Sequence, residues 1–389
     1  MKKRRSLKIA IASDSFKGSM SADQATRCIE AGLLRALPTA HCIALPMADG
    51  GEGTVDAMVA STDGRLVRRR VRDPLGRSVS AAFGISGDGS TAFIEMAAAS
   101  GLPLLRVDER NPLKTTSVGT GELIRHALDA GVASMVVGLG GSATVDGGVG
   151  MAQALGARFR DGRGREIAPG GGALARLARI DVSAIDPRLS KVSIRCACDV
   201  RNPLTGPRGA AQVFGPQKGA SPAVVKRLDA NLRDLAKCIR RDLGVSVSSR
   251  PGAGAAGGLG AGMIAFLNAE LCSGVDLVMQ ATDFSKRIRN CDLVITGEGR
   301  MDRQTAFGKT PSGVARTAEA QGIPVIAICG CLDRGFRAVH DVGIDAVLPA
   351  TGFGRVSDDK RDRPRELRDC AEQVGRLLAL GRTLGLPVA

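Results

Sequence analysis

Seven carboxylates stand in or beside glycine-containing turns: Asp14, Asp49, Glu52, Asp146, Asp199, Glu298 and Asp302. Each falls where an apolar run ends or a turn begins. A carboxylate so placed can bind a divalent cation or take a proton from a hydroxyl. Lys17, Lys218, Arg300 and Lys309 occupy similar stretches and suit phosphate or carboxylate groups. Helix capping or surface charge would account for any one of these acids. Together they form the inventory phosphoryl transfer requires, namely backbone donors, a metal, cations and one base. The three histidines, at 41, 126 and 340, lie outside these stretches, and no cysteine neighbours a histidine. A Ser-His-Asp hydrolase or a thiol nucleophile is therefore poorly supported.

The glycines nearest to these acids point to anion cradles. Gly138-Leu-Gly-Gly-Ser-Ala-Thr-Val-Asp-Gly-Gly-Val-Gly-Met151 follows an apolar run and precedes an apolar-periodic one, an order that reads strand, loop, helix. Gly140 and Gly141 would let backbone N–H groups approach an anion. Ser142 and Thr144 would add hydroxyls, Asp146 would cap the helix, and the helix dipole would favour phosphate. A tight turn with ordinary capping would use the same residues. The stretch 251–260 holds a G-x-G-x-x-G at Gly252, Gly254 and Gly257, but it follows a loop rather than a strand, so it reads as a hinge or a second backbone-donor loop. Gly308-Lys309-Thr310 ends like a phosphate-binding loop, yet Arg303 stands where that motif needs its first glycine.

The elements that position these residues follow from hydrophobic period. Strands are expected over 7–13 and 42–46, each leading through a polar turn into a helix, 22–37 and 54–61. Ser21 and Gln24 form a capping box for the first helix. Two strand–loop–helix units begin a parallel, doubly wound sheet. Three short strands over 66–71, 79–85 and 91–96 then suggest an antiparallel meander and a different domain. Further helices are expected over 123–130, 149–157, 222–243 and 262–271, with strands over 133–138 and 191–198. Parallel texture returns with strands 292–296, 324–329 and 346–349 and helices 311–321 and 363–384. The stretch 297–305, with Glu298, Arg300 and Asp302, reads as a loop. The expected fold is α/β, a flavodoxin-like doubly wound parallel sheet domain formed by 1–64 and 286–389, with a mixed α/β domain inserted at 65–285. The site is expected in the cleft between them.

The composition excludes other classes. Lys and Arg number 54 against 39 acids, a net charge of +15 spread along the chain without a stripe or a recognisable nucleic-acid module. There is no Trp or Tyr and only 10 Phe, which disfavours binding of single strands by stacking. No apolar run approaches the ~18 residues of a membrane span. The ten cysteines form no CxxC pair, and the N-terminus lacks the apolar core of a secretory signal. Cys196/Cys198 and Cys329/Cys331 would share a strand face, as a soft-metal site or as buried apolar groups in a reducing cytosol. A cytoplasmic protein is expected, without nucleic-acid or membrane partners, and a homodimer is compatible with the sequence.

At these loops the chain resembles the bacterial glycerate kinases that phosphorylate the 2-hydroxyl. The matching stretches are Asp14-Ser-Phe-Lys-Gly-Ser19, Ala48-Asp-Gly-Gly-Glu-Gly-Thr54, Ile94-Glu-Met-Ala-Ala-Ala-Ser-Gly-Leu102, Thr116-Ser-Val-Gly-Thr-Gly-Glu122 and Gly140-Gly-Ser-Ala-Thr144. Cys198-Asp-Val200, Asn202-Pro-Leu204, Phe214-Gly-Pro-Gln-Lys-Gly-Ala220, residues 251–260 and Thr296-Gly-Glu-Gly-Arg300 continue the match, with Gln304-Thr305 and Gly308-Lys309 at its end. The resemblance implies ATP and Mg²⁺, glycerate as acceptor and 2-phosphoglycerate as product. On it, Asp199 and Lys17 are the expected catalytic residues, and Asp199 and Asp302 the expected metal ligands. Substrate or phosphate contacts are expected from Asp14, Ser15, Asp49, Gly140, Gly141, Ser142, Thr144, Lys218, Gly254, Gly257, Glu298, Arg300 and Lys309. The chain departs from the family pattern at Ser13, Val145, Arg201 and Thr205. A flavin- or nicotinamide-binding oxidoreductase on the same kind of sheet is the alternative, and a basic nucleic-acid-binding protein a further one.

Overall fold

A computed structural model describes residues 5–16, 18–51, 53–351 and 362–384; Lys17 and Glu52 lie outside them. The chain divides into two compact units, one of Met1–Asp49, Ala60–Thr62 and Val278–Ala389, the other of Gly50–Val59 and Asp63–Leu277. The boundaries expected at 64/65 and 285/286 thus shift, chiefly because Gly50–Val59 joins the second unit. Glu95 accepts the Val55 N–H at 3.0 Å, and added methyls at Gly50 and Gly84 would lie 2.6 Å from Ala197 Cβ and 2.5 Å from Val59 Cγ2.

Numbered along the chain, the first unit holds β1 (Lys8–Ser13) and β2 (His41–Ala44), then β11 (Leu293–Met301), β12 (Val325–Leu332) and β13 (Ala346–Pro349). They form one sheet, ordered β13-β12-β11-β1-β2, with every pairing parallel. Counted within the unit, this is the 2-1-3-4-5 order of a flavodoxin-like fold, whose switch point lies between β1 and β11. Strand β1 is buried almost end to end, as a central parallel strand must be. The helix Ala22–Ala36 carries the expected Ser21–Gln24 capping box, and it packs on the helix Arg363–Thr383 where glycines allow close approach. A methyl at Gly32 would lie 2.2 Å from the Arg368 carbonyl oxygen. Strand β11 runs four residues past its pairing with β1. Its partner β12 continues beside it, matching Glu298 to Cys329 and Arg300 to Cys331. Glu298 and Arg300 therefore sit on a strand rather than in the expected loop.

The second unit holds β3 (Arg65–Arg72), β4 (Ser78–Ile85), β5 (Thr91–Glu95), β6 (Ser134–Gly138), β7 (Arg158–Asp161), β8 (Leu177–Asp181), β9 (Ser193–Ala197) and β10 (Glu270–Cys272). The six-stranded sheet is ordered β10-β9-β6-β5-β4-β3. It is antiparallel across the expected meander β3-β4-β5 and parallel from β5 to β10. Edge strand β3 exposes Arg65, Arg68, Arg69, Arg70 and Arg72, charges that discourage pairing with another edge. Periodicity alone does not reveal the β7–β8 hairpin. The helix expected over 262–271 instead lies within Ala255–Leu267, a span kinked by left-handed Ala256, Gly257 and Gly258, and gives way to β10, because Asn268 takes a left-handed conformation and ends it. The core of this unit includes Val145, fully buried in the same apolar cluster as Leu228, Leu232 and Leu259. That burial favours the apolar side chain where the family pattern carries a polar one.

Candidate active site

A cavity of about 590 Å³ opens at the carboxyl ends of β1, β11 and β12, flanking the switch point. Asp14, immediately after β1, is buried and held from both sides. Its Oδ2 accepts the Thr310 hydroxyl at 2.7 Å and its Oδ1 the Ser15 N–H at 2.6 Å. Glu298 is buried on β11; Thr305 Oγ1 donates to its Oε1 at 2.6 Å, and Lys309 Nζ lies 3.4 Å from its Oε2. Burial pushes the Glu298 carboxyl above its ordinary range, and the bonds from Thr305 and Lys309 pull the other way. Asp302 caps the short turn Arg303–Ala306 by accepting the Gln304 N–H at 2.7 Å, and stands 3.6 Å from Lys309 Nζ. Lys309 is itself the N-cap of the helix Thr310–Glu319, with no side-chain cap of its own. The local sequence explains this end: Gly308 supplies a left-handed residue, and Pro311 fits the first turn.

Ser15, Asp49 and Arg300 complete the sequence-derived residues that line the cavity. Arg300 is largely exposed and lies 3.4 Å from Asp333. Sequence reading missed Arg363 and Cys331, which also line it, and the orienting hydroxyls of Thr305 and Thr310. Thr305 and Thr310 lie within the recognisable 296–310 stretch, but nothing in residue type marks a threonine as the partner of a buried acid. Among the described residues, no histidine lines the cavity.

The glycine loops of the second unit are built differently. Asp146 is fully buried, and its carboxylate accepts N–H groups from Ser117, Gly148 and Gly150 and hydroxyls from Thr116 and Ser117. The anion at the start of the short helix Val149–Ala154 is thus the chain's own carboxylate. Lys218 closes the loop from the other side. Its ammonium is buried and donates to Ser142 Oγ at 2.5 Å and to the Thr144 carbonyl at 2.7 Å. Burial lowers its pKa to about 7, against the opposing pull of Asp146. The Thr144 hydroxyl is buried without a partner. Gly140 and Gly141 begin this loop. Gly254 and Gly257 serve close backbone packing: methyls there would lie 2.2 Å from the Pro203 carbonyl oxygen and 1.8 Å from that of Thr144. Their own groups are engaged too, since the Gly254 N–H donates to Asn202 O and Gly257 O accepts from the Gly147 N–H. Apart from the Thr144 hydroxyl, the groups named here from the expected cradle, at Ser142, Gly254 and Gly257, are engaged within the protein.

Asp199 follows β9, exposed, with Oδ1 accepting the Gly274 N–H at 2.9 Å. Glu95 ends β5, in a stretch to which the sequence alone assigns no chemistry. Burial raises its pKa, opposed by backbone bonds from Val55, Gly53 and Thr54, so it holds the start of the helix Thr54–Ser61. Asp199 and Asp302, the expected metal pair, belong to different units. Among the described residues, no group of three or more His, Cys, Asp or Glu could hold a metal.

Fold and site together define a two-unit α/β protein with a charged cavity at the switch point of a flavodoxin-like sheet. A family model described as the glycerate kinase family matches residues 9–379, and the chain belongs to that family. It is 50% identical over 376 residues to the glycerate 2-kinase of Escherichia coli K12, covering 96% of this chain and 99% of that one. The glycerate kinase of Bacillus subtilis 168 is 50% identical over 381 residues, covering 98% and 100%. A crystal structure from Salmonella typhimurium LT2, described as a glycerate kinase 2, superposes with a TM-score of 0.90 at 50% identity, covering 97% of this chain and all of that one.

Proposed function

We propose that this protein is a glycerate 2-kinase, transferring the γ-phosphoryl of ATP to the 2-hydroxyl of D-glycerate and releasing ADP and 2-phosphoglycerate. The observation that carries the reading is family membership over nearly the whole chain, together with a switch-point cavity rich in both carboxylates and cations. Nothing favours the oxidoreductase alternative. In the transfer, the 2-hydroxyl oxygen bonds to the γ-phosphorus, the bond to the ADP oxygen breaks, and the hydroxyl proton leaves to a base. Asp199 is the proposed base: it stands two residues past the end of β9, and the Gly274 N–H orients one carboxylate oxygen. Lys17, outside the described residues, is proposed as the second catalytic group on sequence alone.

Mg²⁺ is proposed as the metal. It uses one or two carboxylates together with substrate phosphates and water, so the lack of a three-ligand cluster among the described residues is compatible with it. The carboxylates of Asp199 and Asp302 are the hard oxygen donors it requires. When bound, the ion would offset charge on the phosphates. The protein is proposed to act in the cytoplasm, on small molecules and without nucleic-acid partners; no helix among the described residues is long and apolar enough to cross a membrane. The test is direct. Protein, ATP, Mg²⁺ and glycerate are incubated and the product is identified by ³¹P and ¹H NMR; the expected product is 2-phosphoglycerate. 3-Phosphoglycerate would overturn the position of transfer, and no phosphoglycerate would overturn the reading.

A further inference from the structure

The switch-point cavity has properties that separate the two substrates of the proposed kinase reaction. Resting on that reading, we infer that this cavity is the nucleotide site, taking the triphosphate as its divalent-metal complex, and that glycerate binds outside it. A volume of about 590 Å³ lies within the range of roughly 300–1,000 Å³ common for cofactor-sized ligands; a three-carbon acid would leave most of it to water. Its position, at the carboxyl ends of β1 and β11, is the crevice where doubly wound sheets receive nucleotides. The ten-residue helix Thr310–Glu319 begins there without a side-chain cap on its N-cap residue, so the positive end of its dipole favours phosphate, and Lys309 stands at the same end.

The charge balance then sets the form of the ligand. Among the described residues that line it, four carboxylates, Asp14, Asp49, Glu298 and Asp302, stand with three cations, Arg300, Lys309 and Arg363. Lys309 is already shared between Glu298 and Asp302. A bare triphosphate would bring several negative charges up to these four carboxylates. A divalent ion chelated by the phosphates reverses that effect and gives the carboxylates a counter-charge.

Calorimetric titration of the full-length protein tests this, using a non-hydrolysable ATP analogue with Mg²⁺ or with EDTA, and separately glycerate. Wild type, Lys309→Met and Arg300→Ala are compared. The analogue's Kd is expected to rise at least about tenfold when EDTA replaces Mg²⁺, and by a similar factor in Lys309→Met, the loss of one charge-assisted contact. Glycerate affinity is expected to move less than about twofold. Loss of glycerate binding with the analogue retained would overturn the inference, and equal analogue affinity with and without Mg²⁺ would overturn its metal part. Should Lys309→Met fail to fold by circular dichroism, Arg300→Ala, altered at an exposed side chain, carries the same comparison. Failure of the kinase reading itself looks different, because wild type then yields no phosphoglycerate by ³¹P NMR whichever ligand the cavity takes.

Discussion

Lys218 offers a measurement in which burial is the dominant cause. Its ammonium is fully enclosed, bonded to Ser142 and Thr144, with Asp146 the opposing charge, and its pKa falls from 10.5 to about 7. In the unfolded chain it titrates near 10.4. Between these values the unfolded chain binds the extra proton, so stability must rise with pH. The full span corresponds to about 5 kcal/mol at 1.36 kcal/mol per unit, of which about 2 kcal/mol is recovered between pH 7 and pH 9. Lys218→Met removes this group. Urea unfolding of both proteins, followed by circular dichroism from pH 7 to pH 9, should show wild type gaining about 2 kcal/mol on the variant. The offset at pH 7 combines a removed charge penalty with two lost hydrogen bonds and is not the test; the slope is. A difference that stays flat, or that moves with pH in the variant's favour, would refute the reasoning.

Other outcomes follow from the same geometry. Glu298→Gln keeps an acceptor for Thr305 while removing a carboxylate whose pKa burial has raised. That raised value costs stability above the folded pKa, so the variant should melt higher than wild type at pH 7 and lose the advantage as the pH falls below the carboxylate range. Asp199→Asn should lower kcat by about 10²–10⁴-fold, the worth of a general base. A coupled ADP-release assay reads this, and near wild-type kcat would remove Asp199 from the role. Gly257→Ala forces a methyl to within 1.8 Å of the Thr144 carbonyl at a φ of +69°, and thermal unfolding should show a loss of about 3 kcal/mol or more. Gly131→Ala, at φ +78° with nothing within 4 Å, should lose only about 1 kcal/mol by the same measurement.

Much of the fold is legible because its strands are of two clear kinds. Strand β1 reads as an apolar run over Ile9 to Ala12, β3 to β5 as short alternating pieces separated by turns, and the capping box at Ser21 fixes a helix start to the residue. Elements whose boundaries depend on a neighbour are not legible. Strand β11 extends through Gly297-Glu298-Gly299-Arg300 only because β12 continues beside it; a glycine-rich acidic stretch has no strand period of its own. The β7–β8 hairpin and the end of the helix Ala255–Leu267 are likewise settled by tertiary pairing and by a single left-handed Asn268. In the site, residue type brings Asp14, Glu298, Asp302 and Lys309 to notice. That Thr305 and Thr310 orient two of these acids depends on how the chain folds back on itself, which no local pattern encodes.

The two kinds of glycine loop separate on one physical point, which is what neutralises their polar groups. A helix start surrounded by small residues attracts a negative charge whatever its source. At Val149–Ala154 that charge is Asp146, buried and held by five donors from Thr116, Ser117, Gly148 and Gly150. A residue that resembles a cap in the sequence becomes, once enclosed, a substitute for the ligand such a loop would otherwise seek. At Thr310–Glu319 the corresponding position is Lys309, a cation at the positive end of a helix. That placement is unfavourable in isolation, and Glu298 and Asp302 only partly relieve it, at 3.4 and 3.6 Å. A helix start whose backbone donors are already given to its own carboxylate, as Gly148 and Gly150 give theirs to Asp146, has little to gain from phosphate. One that carries a cation and lies open to a cavity gains from every negative oxygen brought to it, and this places the more responsive of the two loops in the five-stranded unit.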